Sequence, residues 1–262
     1  MHSRLTASVK TGELMRRTII AGNWKMNLDK KNMEDLVTGI KKGLETKKTD
    51  HSILVFPSAV HLAYVSEQFK GTKVETGVQN IYPSGLAAYT GETSVDQIKD
   101  FGIKTVLLGH SERRQFLGET DEFLNQKVKF CLEKGFLPML CVGELLSERE
   151  ANATMKVLER QIREGLKGVS SADSSKVCIA YEPVWAIGTG KVATPEQAEE
   201  AHAFIRSELA KLFGKNESEE MSILYGGSVK PDNVKTLLEK PNVDGGLVGG
   251  ASQKADSFLA LL

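Results

Sequence analysis

One glutamate and one histidine have sequence surroundings that could support proton transfer. Glu182 directly follows the apolar segment 177–181. A carboxylate that is partly withdrawn from water becomes a stronger base. His110 directly precedes Ser111 and Glu112, where a helix can begin, and the positive end of a helix disfavours an imidazolium ion. We therefore expect Glu182 to be a general base and His110 to be a neutral hydrogen-bond donor.

A lysine and two pairs of glycines could bind an anion. Lys25 follows the apolar segment 18–21, and its charge could stabilise a phosphate or an enolate. Glycine pairs at 226–227 and 249–250 also follow apolar segments, and peptide N–H groups without neighbouring side chains can approach a phosphate closely. Gly188 could add another N–H group, and Ser228 could add a hydroxyl. These residues predict a phosphate site.

Each of these residues has a plainer explanation when it is considered alone. Glu182 could belong to a structural ion pair, Lys25 could be an ordinary solvated lysine, and each glycine pair could be a tight turn. The functional interpretation depends on whether the fold brings these residues together. The strands and helices that carry them decide this.

Eight short apolar segments alternate with eight segments of helical periodicity. Unbroken apolar runs of this length indicate strands that are buried on both faces of a parallel sheet. The predicted strands are 18–21, 53–56, 74–78, 105–108, 137–142, 177–181, 222–225 and 246–248. The predicted helices are 31–47, 60–69, 95–101, 121–134, 149–167, 195–213, 231–238 and 254–261.

This alternation fits either a closed (β/α)8 barrel or an open doubly wound sheet. Eight units in about 250 residues is the usual size of the barrel. The glycine pairs also follow late strands, whereas a dinucleotide-binding sheet carries its glycines after the first strand. We predict an α/β chain in which residues 15–262 form a single-domain barrel and residues 1–14 are a leader or a disordered extension. Because active sites of such barrels form at the carboxyl ends of the strands, all the residues named above should meet at one rim.

The composition excludes several classes of partner and site. Lys plus Arg and Asp plus Glu both total 34, so no net charge attracts nucleic acid or an anionic membrane. No apolar run approaches the ~20 residues that span a bilayer. Cys131, Cys141 and Cys178 are an odd number without close pairs, which favours reduced thiols in a cytoplasmic protein over disulfides or zinc. We expect no metal and no cofactor.

Five segments of the chain together resemble the triosephosphate isomerase family. They are Asn23-Trp24-Lys25-Met26-Asn27, Gly109-His110-Ser111-Glu112-Arg113-Arg114, Tyr181-Glu182-Pro183-Val184-Trp185-Ala186-Ile187-Gly188-Thr189-Gly190, Tyr225-Gly226-Gly227-Ser228-Val229 and Val248-Gly249-Gly250-Ala251-Ser252. The resemblance runs in order from about Arg16 to the C-terminus. It implies a TIM-barrel isomerase of glycolysis and gluconeogenesis. Such an enzyme interconverts dihydroxyacetone phosphate and D-glyceraldehyde 3-phosphate through an enediol or enediolate.

The resemblance also implies a role for each reacting residue. Glu182 would move a proton between two carbons of the substrate, and His110 would polarise the substrate oxygens. Lys25 would supply positive charge, with Asn23 as its polar partner.

Other residues are assigned to binding and support by the same resemblance. The phosphate would be held by Gly188, Ser228, Gly249 and Gly250. Ser111 would hold Glu182 in an open state, and Glu112 would pair with Lys25. A homodimer is implied, in which a loop containing Tyr89 and Thr90 enters the partner.

Two other functions fit a barrel with a phosphate site. One is a pentose-phosphate epimerase, which would favour several His and Asp metal ligands at the strand ends. His110 is the only histidine that we place there. The other is a non-catalytic scaffold or binding protein, which the combination of Lys25, His110 and Glu182 disfavours as a primary role. A secondary binding role stays open.

Overall fold

Eight parallel strands form the centre of the molecule. The computed structural model describes residues 8–10, 13–189 and 191–262. The strands of this barrel are β1 (Ile19–Asn23), β2 (Ser52–Phe56), β3 (Val74–Thr76), β4 (Thr105–Leu108), β5 (Leu137–Val142), β6 (Cys178–Tyr181), β7 (Ile223–Tyr225) and β8 (Gly245–Val248). Their order in the sheet is β3-β2-β1-β8-β7-β6-β5-β4. A parallel bridge between Val78 and Val106 joins the two ends of this order, so the predicted (β/α)8 barrel is confirmed.

Helices surround the strands. The α-helices are α1 (Lys30–Thr46), α2 (Leu62–Phe69), α3 (Val95–Ile98), α4 (Ser111–Phe116), α5 (Asp121–Glu133), α6 (Leu146–Glu150), α7 (Thr154–Gly165), α8 (Ser171–Ser174), α9 (Pro195–Phe213), α10 (Lys215–Glu220), α11 (Val234–Leu238) and α12 (Ala255–Leu259). Single 3-10 turns occur at Ala59–His61, Lys99–Phe101, Val184–Ala186 and Gly250–Gln253.

Two helical predictions were too long, and some short helices were not predicted. The segment 149–167 contains the end of α6 and the whole of α7, because Asn152 between them adopts a left-handed φ of 54°. The segment 231–238 is helical only from Val234 onward. Helices α4, α8 and α10 are each too short to show an apolar stripe in the sequence.

Alternate residues of each strand face two different apolar layers. Ile19 and Ala21 belong to a cluster inside the barrel, whereas Ile20 packs in the larger layer between strands and helices. Phe56 and Met139 add further bulk to the interior cluster. Because both faces of most strands are covered, these strands read as unbroken apolar runs. Strand β3 differs, because Glu75 in its middle is exposed.

A buried charge network closes the end of the barrel where the strands begin. Asp244 immediately precedes β8, and its Oδ1 accepts a hydrogen bond from Arg16 Nε at 2.6 Å. Its Oδ2 accepts from Arg206 Nη2 at 2.7 Å and from the backbone N–H of Ile223 at 2.8 Å. These donors compensate the Asp244 carboxylate for the hydration that it loses on burial. In barrels of this kind the end where the strands begin contributes to stability, and the active site forms at the opposite rim.

The region before the barrel is only partly described. Ser8–Lys10 and Glu13–Met15 pair as an antiparallel hairpin. Residues 1–7 and 11–12 of the predicted leader lie outside the described residues, so its nature stays a prediction. Within the described part of the chain, none of the helices is both long enough and apolar enough to cross a membrane.

Candidate active site

A cavity of about 310 Å³ opens at the carboxyl ends of the strands. Every residue predicted to act in catalysis or substrate binding lies in its wall, namely Asn23, Lys25, His110, Glu182, Gly188, Ser228, Gly249 and Gly250. Asn23 is the last residue of β1, and the others come from the loops after β1, β4, β6, β7 and β8. Only closure of the barrel brings these loops to one place. The cavity therefore combines a carboxylate, an imidazole, an ammonium group and the glycine-rich turns.

Glu182 is buried and fully hydrogen-bonded. It is 2% exposed, and its Oε2 accepts from the backbone N–H of Ser111 at 2.8 Å. Its Oε1 lies 2.9 Å from His110 Nε2. Burial raises the pKa of Glu182, but His110 and the Ser111 N–H together lower it by more than burial raises it. The net pKa therefore lies below its ordinary value. Glu182 is thus an ionised carboxylate that can accept a proton.

His110 caps helix α4 with one ring nitrogen and faces Glu182 with the other. Its Nδ1 accepts from the backbone N–H of Glu112 at 3.3 Å, so a neutral ring carries its proton on Nε2. Burial lowers the pKa of His110, the Glu182 carboxylate raises it, and the net direction is upward. The pairing with Glu182 therefore opposes the effect of the helix start, and the neutral His110 stays a prediction.

Lys25 is held in a backbone conformation that side chains normally avoid. Its φ is 55°, a left-handed value that costs a non-glycine residue about 1–3 kcal/mol. Asn23 Oδ1 accepts from the Lys25 backbone N–H at 3.0 Å, and Gln79 Nε2 donates to the Lys25 carbonyl at 2.9 Å. The Lys25 ammonium forms an ion pair with Glu112 Oε1. These contacts hold the ammonium in the cavity and offset the strain.

Gln79 supports the site through contacts that the sequence did not reveal. Its Nε2 also donates to the carbonyl of Phe56 at 2.9 Å and lies 3.4 Å from Asn23 Oδ1, so one amide ties the loops after β1 and β2 together. The available signal was its position shortly after β3, where polar residues of a barrel face the rim.

The glycines of the cavity wall leave space beside the charged groups. A Cβ at Gly249 would lie 3.5 Å from the Lys25 side chain, and one at Gly250 would meet no atom within 4 Å. The half-buried Ser228 borders the same space. At Gly226 a Cβ would instead approach Glu182 Cγ to 2.9 Å, so this glycine is needed for the carboxylate to fit.

The loop after β6 is anchored at its start and exposed farther along. We call residues 183–193 the lid, of which Gly190 lies outside the described residues. Trp185 Nε1 donates to Glu144 Oε1 at 2.8 Å, and Tyr181 donates its hydroxyl hydrogen to Glu144 Oε2 at 3.1 Å. Gly188 has a φ of 69° and is exposed, as is Val192. The buried Glu144, whose role the sequence did not reveal, thus fixes the entry of the lid.

The metal-dependent alternative requires a cluster of ligands. In the part of the chain that the structure describes, no three His, Cys, Asp or Glu side chains are grouped so that they could hold a metal ion.

The family comparison decides among the candidate functions. The family model described as triosephosphate isomerase matches residues 18–262, which include the whole barrel and every residue of the cavity. The chain belongs to the triosephosphate isomerase family. Its predicted fold and its predicted function as an isomerase of triose phosphates in glycolysis are confirmed.

Curated relatives from distant bacteria support the same assignment. The chain is 56% identical to the triosephosphate isomerase of Leptospira borgpetersenii serovar Hardjo-bovis (strain JB197) over 249 residues, which cover 94% of this chain and 100% of that protein. It is 57% identical to that of Leptospira interrogans strain Fiocruz L1-130 with the same coverage. It is 49% identical to that of Fusobacterium nucleatum, with 95% of this chain and 98% of that protein covered. The chain thus spans these triosephosphate isomerases nearly end to end.

The contact between His110 and Glu182 can be tested by titration. In a Glu182→Gln variant, burial still lowers the pKa of His110 while the carboxylate that raises it is gone. We therefore expect the pKa of His110 to fall, as measured from the NMR signals of its ring against pH. A Glu45→Gln variant, changed at an exposed site on α1, should leave this pKa unchanged. An unaltered His110 titration in the Glu182 variant would contradict the pairing.

Proposed function

We propose that Glu182 is the base that interconverts dihydroxyacetone phosphate and D-glyceraldehyde 3-phosphate in this triosephosphate isomerase. The observation that supports this proposal is the shared cavity, in which Glu182, His110 and Lys25 face the same space as Ser228 and Gly249. Glu182 takes the proton from the carbon next to the carbonyl. The electron pair of the broken C–H bond forms the C=C bond of an enediolate, and the carbonyl electrons move to oxygen. Return of the proton to the neighbouring carbon, together with transfer of the hydroxyl proton from the oxygen of the first carbon to the oxygen of the second, completes the isomerisation. The first carbon then carries the carbonyl and the second carries the hydroxyl.

His110 and Lys25 stabilise the charge that develops on oxygen. His110 donates from Nε2, because its Nδ1 is occupied by the backbone N–H of Glu112. The Lys25 ammonium adds a positive charge at a position fixed by its backbone contacts. Donors that are already oriented act strongly because they need little rearrangement in the transition state.

The phosphate of the substrate binds at the glycine-rich side of the cavity. Backbone N–H groups of Gly188, Gly249 and Gly250 and the hydroxyl of Ser228 hold it. The phosphate does not react, so its binding energy can position the carbon acid and close the lid. A closed lid excludes water, which protects an enediolate that would otherwise lose its phosphate.

Two further residues prepare the reacting groups. The backbone N–H of Ser111 holds the Glu182 carboxylate until substrate and lid replace that contact. Glu112 keeps the Lys25 ammonium at the cavity through their ion pair.

A second copy of this chain covers one sector of the rim. The loops after the neighbouring strands β1 to β4 each expose large apolar side chains, namely Met26, Val60, Leu86, Tyr89, Phe116 and Leu117. The rings of Tyr89 and Tyr82 pack with centroids 4.0 Å apart, so the loop containing Tyr89 and Thr90 is shaped before it meets a partner. We call this group of exposed side chains the apolar sector, and apolar side chains exposed on four neighbouring strand ends favour a homodimer.

We also place the enzyme in the cytoplasm. All three cysteines are free and buried, which suits a reducing compartment. Cell fractionation that found the protein outside the cytoplasmic fraction would overturn this placement.

Shortening the base should slow turnover. Glu182→Asp retracts the carboxylate by about 1 Å, and a displacement of that size can cost about 10²-fold in rate. We expect this loss in kcat in a coupled isomerase assay, with the circular dichroism of the folded protein retained. Glu45→Asp is the matched control and should have the wild-type rate. A near-normal kcat for the Glu182 variant would refute the assignment of the base.

Removing one phosphate contact should weaken anion binding. Ser228→Ala removes a hydroxyl donor, and a hydrogen bond to a charged group contributes about 1.5–3 kcal/mol. We expect inhibition by inorganic phosphate to weaken about tenfold, with a similar rise in KM and a smaller change in kcat. The control is Ser207→Ala, at an exposed site on α9. Equal inhibition of the Ser228 variant and wild type would place the phosphate elsewhere.

A charge in the loop after β3 should weaken the dimer. Tyr89→Asp places a carboxylate in the apolar sector, and we expect dimer dissociation to become about tenfold easier or more in sedimentation equilibrium. Phe101→Asp is the control, because Phe101 has a similar exposed fraction but lies before β4, at the other end of the barrel. A wild-type chain that stays monomeric, or a Tyr89 variant that dimerises normally, would contradict the proposed interface.

A further inference from the structure

The backbone that carries Glu182 lies directly on the segment that follows β5. The backbone N–H of Glu182 donates to the carbonyl of Val142 at 2.7 Å, and that of Val184 donates to the carbonyl of Glu144 at 3.1 Å. These two hydrogen bonds border Gly143, which lies between the two accepting residues. Residues 142–144 therefore position Glu182 and the start of the lid. We call these three residues the shelf.

Gly143 makes the closest contact of this shelf. A Cβ at this position would overlap the carbonyl oxygen of Glu182, so the two backbones touch without any side chain between them. A shift or rotation of the Gly143 peptide would therefore be passed directly to Glu182. Because β5 ends at Val142, the N–H and the carbonyl of Gly143 itself lie beyond the paired residues of the strand, and a side chain holds them instead.

Gln161 on α7 clamps Gly143 with both atoms of its amide. Its Oε1 accepts from the Gly143 N–H at 2.7 Å, and its Nε2 donates to the Gly143 carbonyl at 3.1 Å. The side chain is 5% exposed, so little water can substitute for either bond. The N–H and the carbonyl of Gly143 belong to the two successive peptide groups that flank its Cα. The acceptor and the donor of the Gln161 amide therefore fix the orientation of both groups, as a neighbouring strand would.

Gln161 does not face the substrate. It is absent from the wall of the substrate cavity and borders a separate groove on the far side of Glu182. The contacts that connect Gln161 to Glu182 are its two hydrogen bonds to Gly143, whose backbone touches that of Glu182.

We propose that Gln161 is a positioning residue of the isomerase, which aligns the Glu182 carboxylate and the entry of the lid by fixing the two peptide groups on either side of Gly143. This inference rests on the proposed function of Glu182. The Gln161 amide, which is buried on an outer helix, would then help to set the geometry of proton transfer. That geometry is sensitive to displacements of about 1 Å.

The first test removes both hydrogen bonds and keeps the volume. In Gln161→Met, we expect kcat to fall by about 10- to 100-fold while KM stays within about threefold, because the phosphate contacts of Ser228, Gly249 and Gly250 are untouched. Gln115→Met changes the same residue type at an exposed position of the same groove and should keep the wild-type kcat. A kcat within about twofold of wild type for folded Gln161→Met would overturn the proposal.

The second test uses a change that pH can reverse. In Gln161→Glu, an ionised carboxylate faces the Gly143 carbonyl and repels it, whereas a protonated carboxyl group can accept from the N–H and donate to the carbonyl, as the amide does. Burial raises the pKa of such a carboxyl group. We therefore expect the ratio of variant to wild-type kcat to rise about tenfold as the pH is lowered from about 8 to about 5.5.

The pH dependence of the kcat ratio distinguishes a role of Gln161 in aligning Glu182 from a role in stability alone. Gln115→Glu should give a ratio that does not change with pH, and a flat ratio for Gln161→Glu would overturn the proposal. If Gln161→Met does not fold, the Gln161→Glu ratio decides alone. Glu182→Asp is measured in the same assay. A normal rate for it refutes the base itself, whereas a slow Glu182→Asp beside normal Gln161 variants refutes only the role of Gln161.

Discussion

The buried carboxylate of Glu182 is the constraint that the surrounding structure satisfies. An ionised carboxylate loses its hydration when it is buried, so it must be compensated by donors that the fold supplies. The Ser111 N–H and His110 Nε2 are those donors, and both come from the loop after β4. The same constraint explains the space at Gly226, where a side chain would collide with the glutamate. These donors keep the carboxylate ionised in a buried position.

The Lys25 ammonium group is positioned in a different way, through a strained backbone. Lys25 reaches the cavity because its backbone takes a left-handed turn, which Asn23 and Gln79 hold in place. The strain is local and is balanced by hydrogen bonds that cross from one strand end to the next. The ammonium group therefore occupies a fixed position, which a solvated lysine on a flexible stem would not.

The two ends of the barrel divide stability from chemistry. Asp244 joins Arg16 and Arg206 where the strands begin, far along the strands from the cavity. At the opposite end, the groups are held by loops, by the anchor of Trp185 on Glu144 and by the amide of Gln161 on Gly143. Rigid strands carry these loops, so small local contacts are sufficient to set the geometry of the reacting groups.

The sequence by itself determined the fold class and the approximate extent of most strands and helices, and it predicted the principal site residues. Apolar runs such as 137–142 are strands because both faces are buried, and this can be read without any coordinates. Lys25, His110 and Glu182 follow such runs, so a barrel must place them at one rim. The sequence did not show Gln79, Glu144 or Gln161 as parts of the site. Their roles consist of hydrogen bonds to backbone atoms that are distant in sequence, and such bonds leave no periodic pattern. Only the tertiary structure decided them, because it alone determines which peptide groups lie within reach of a given side chain.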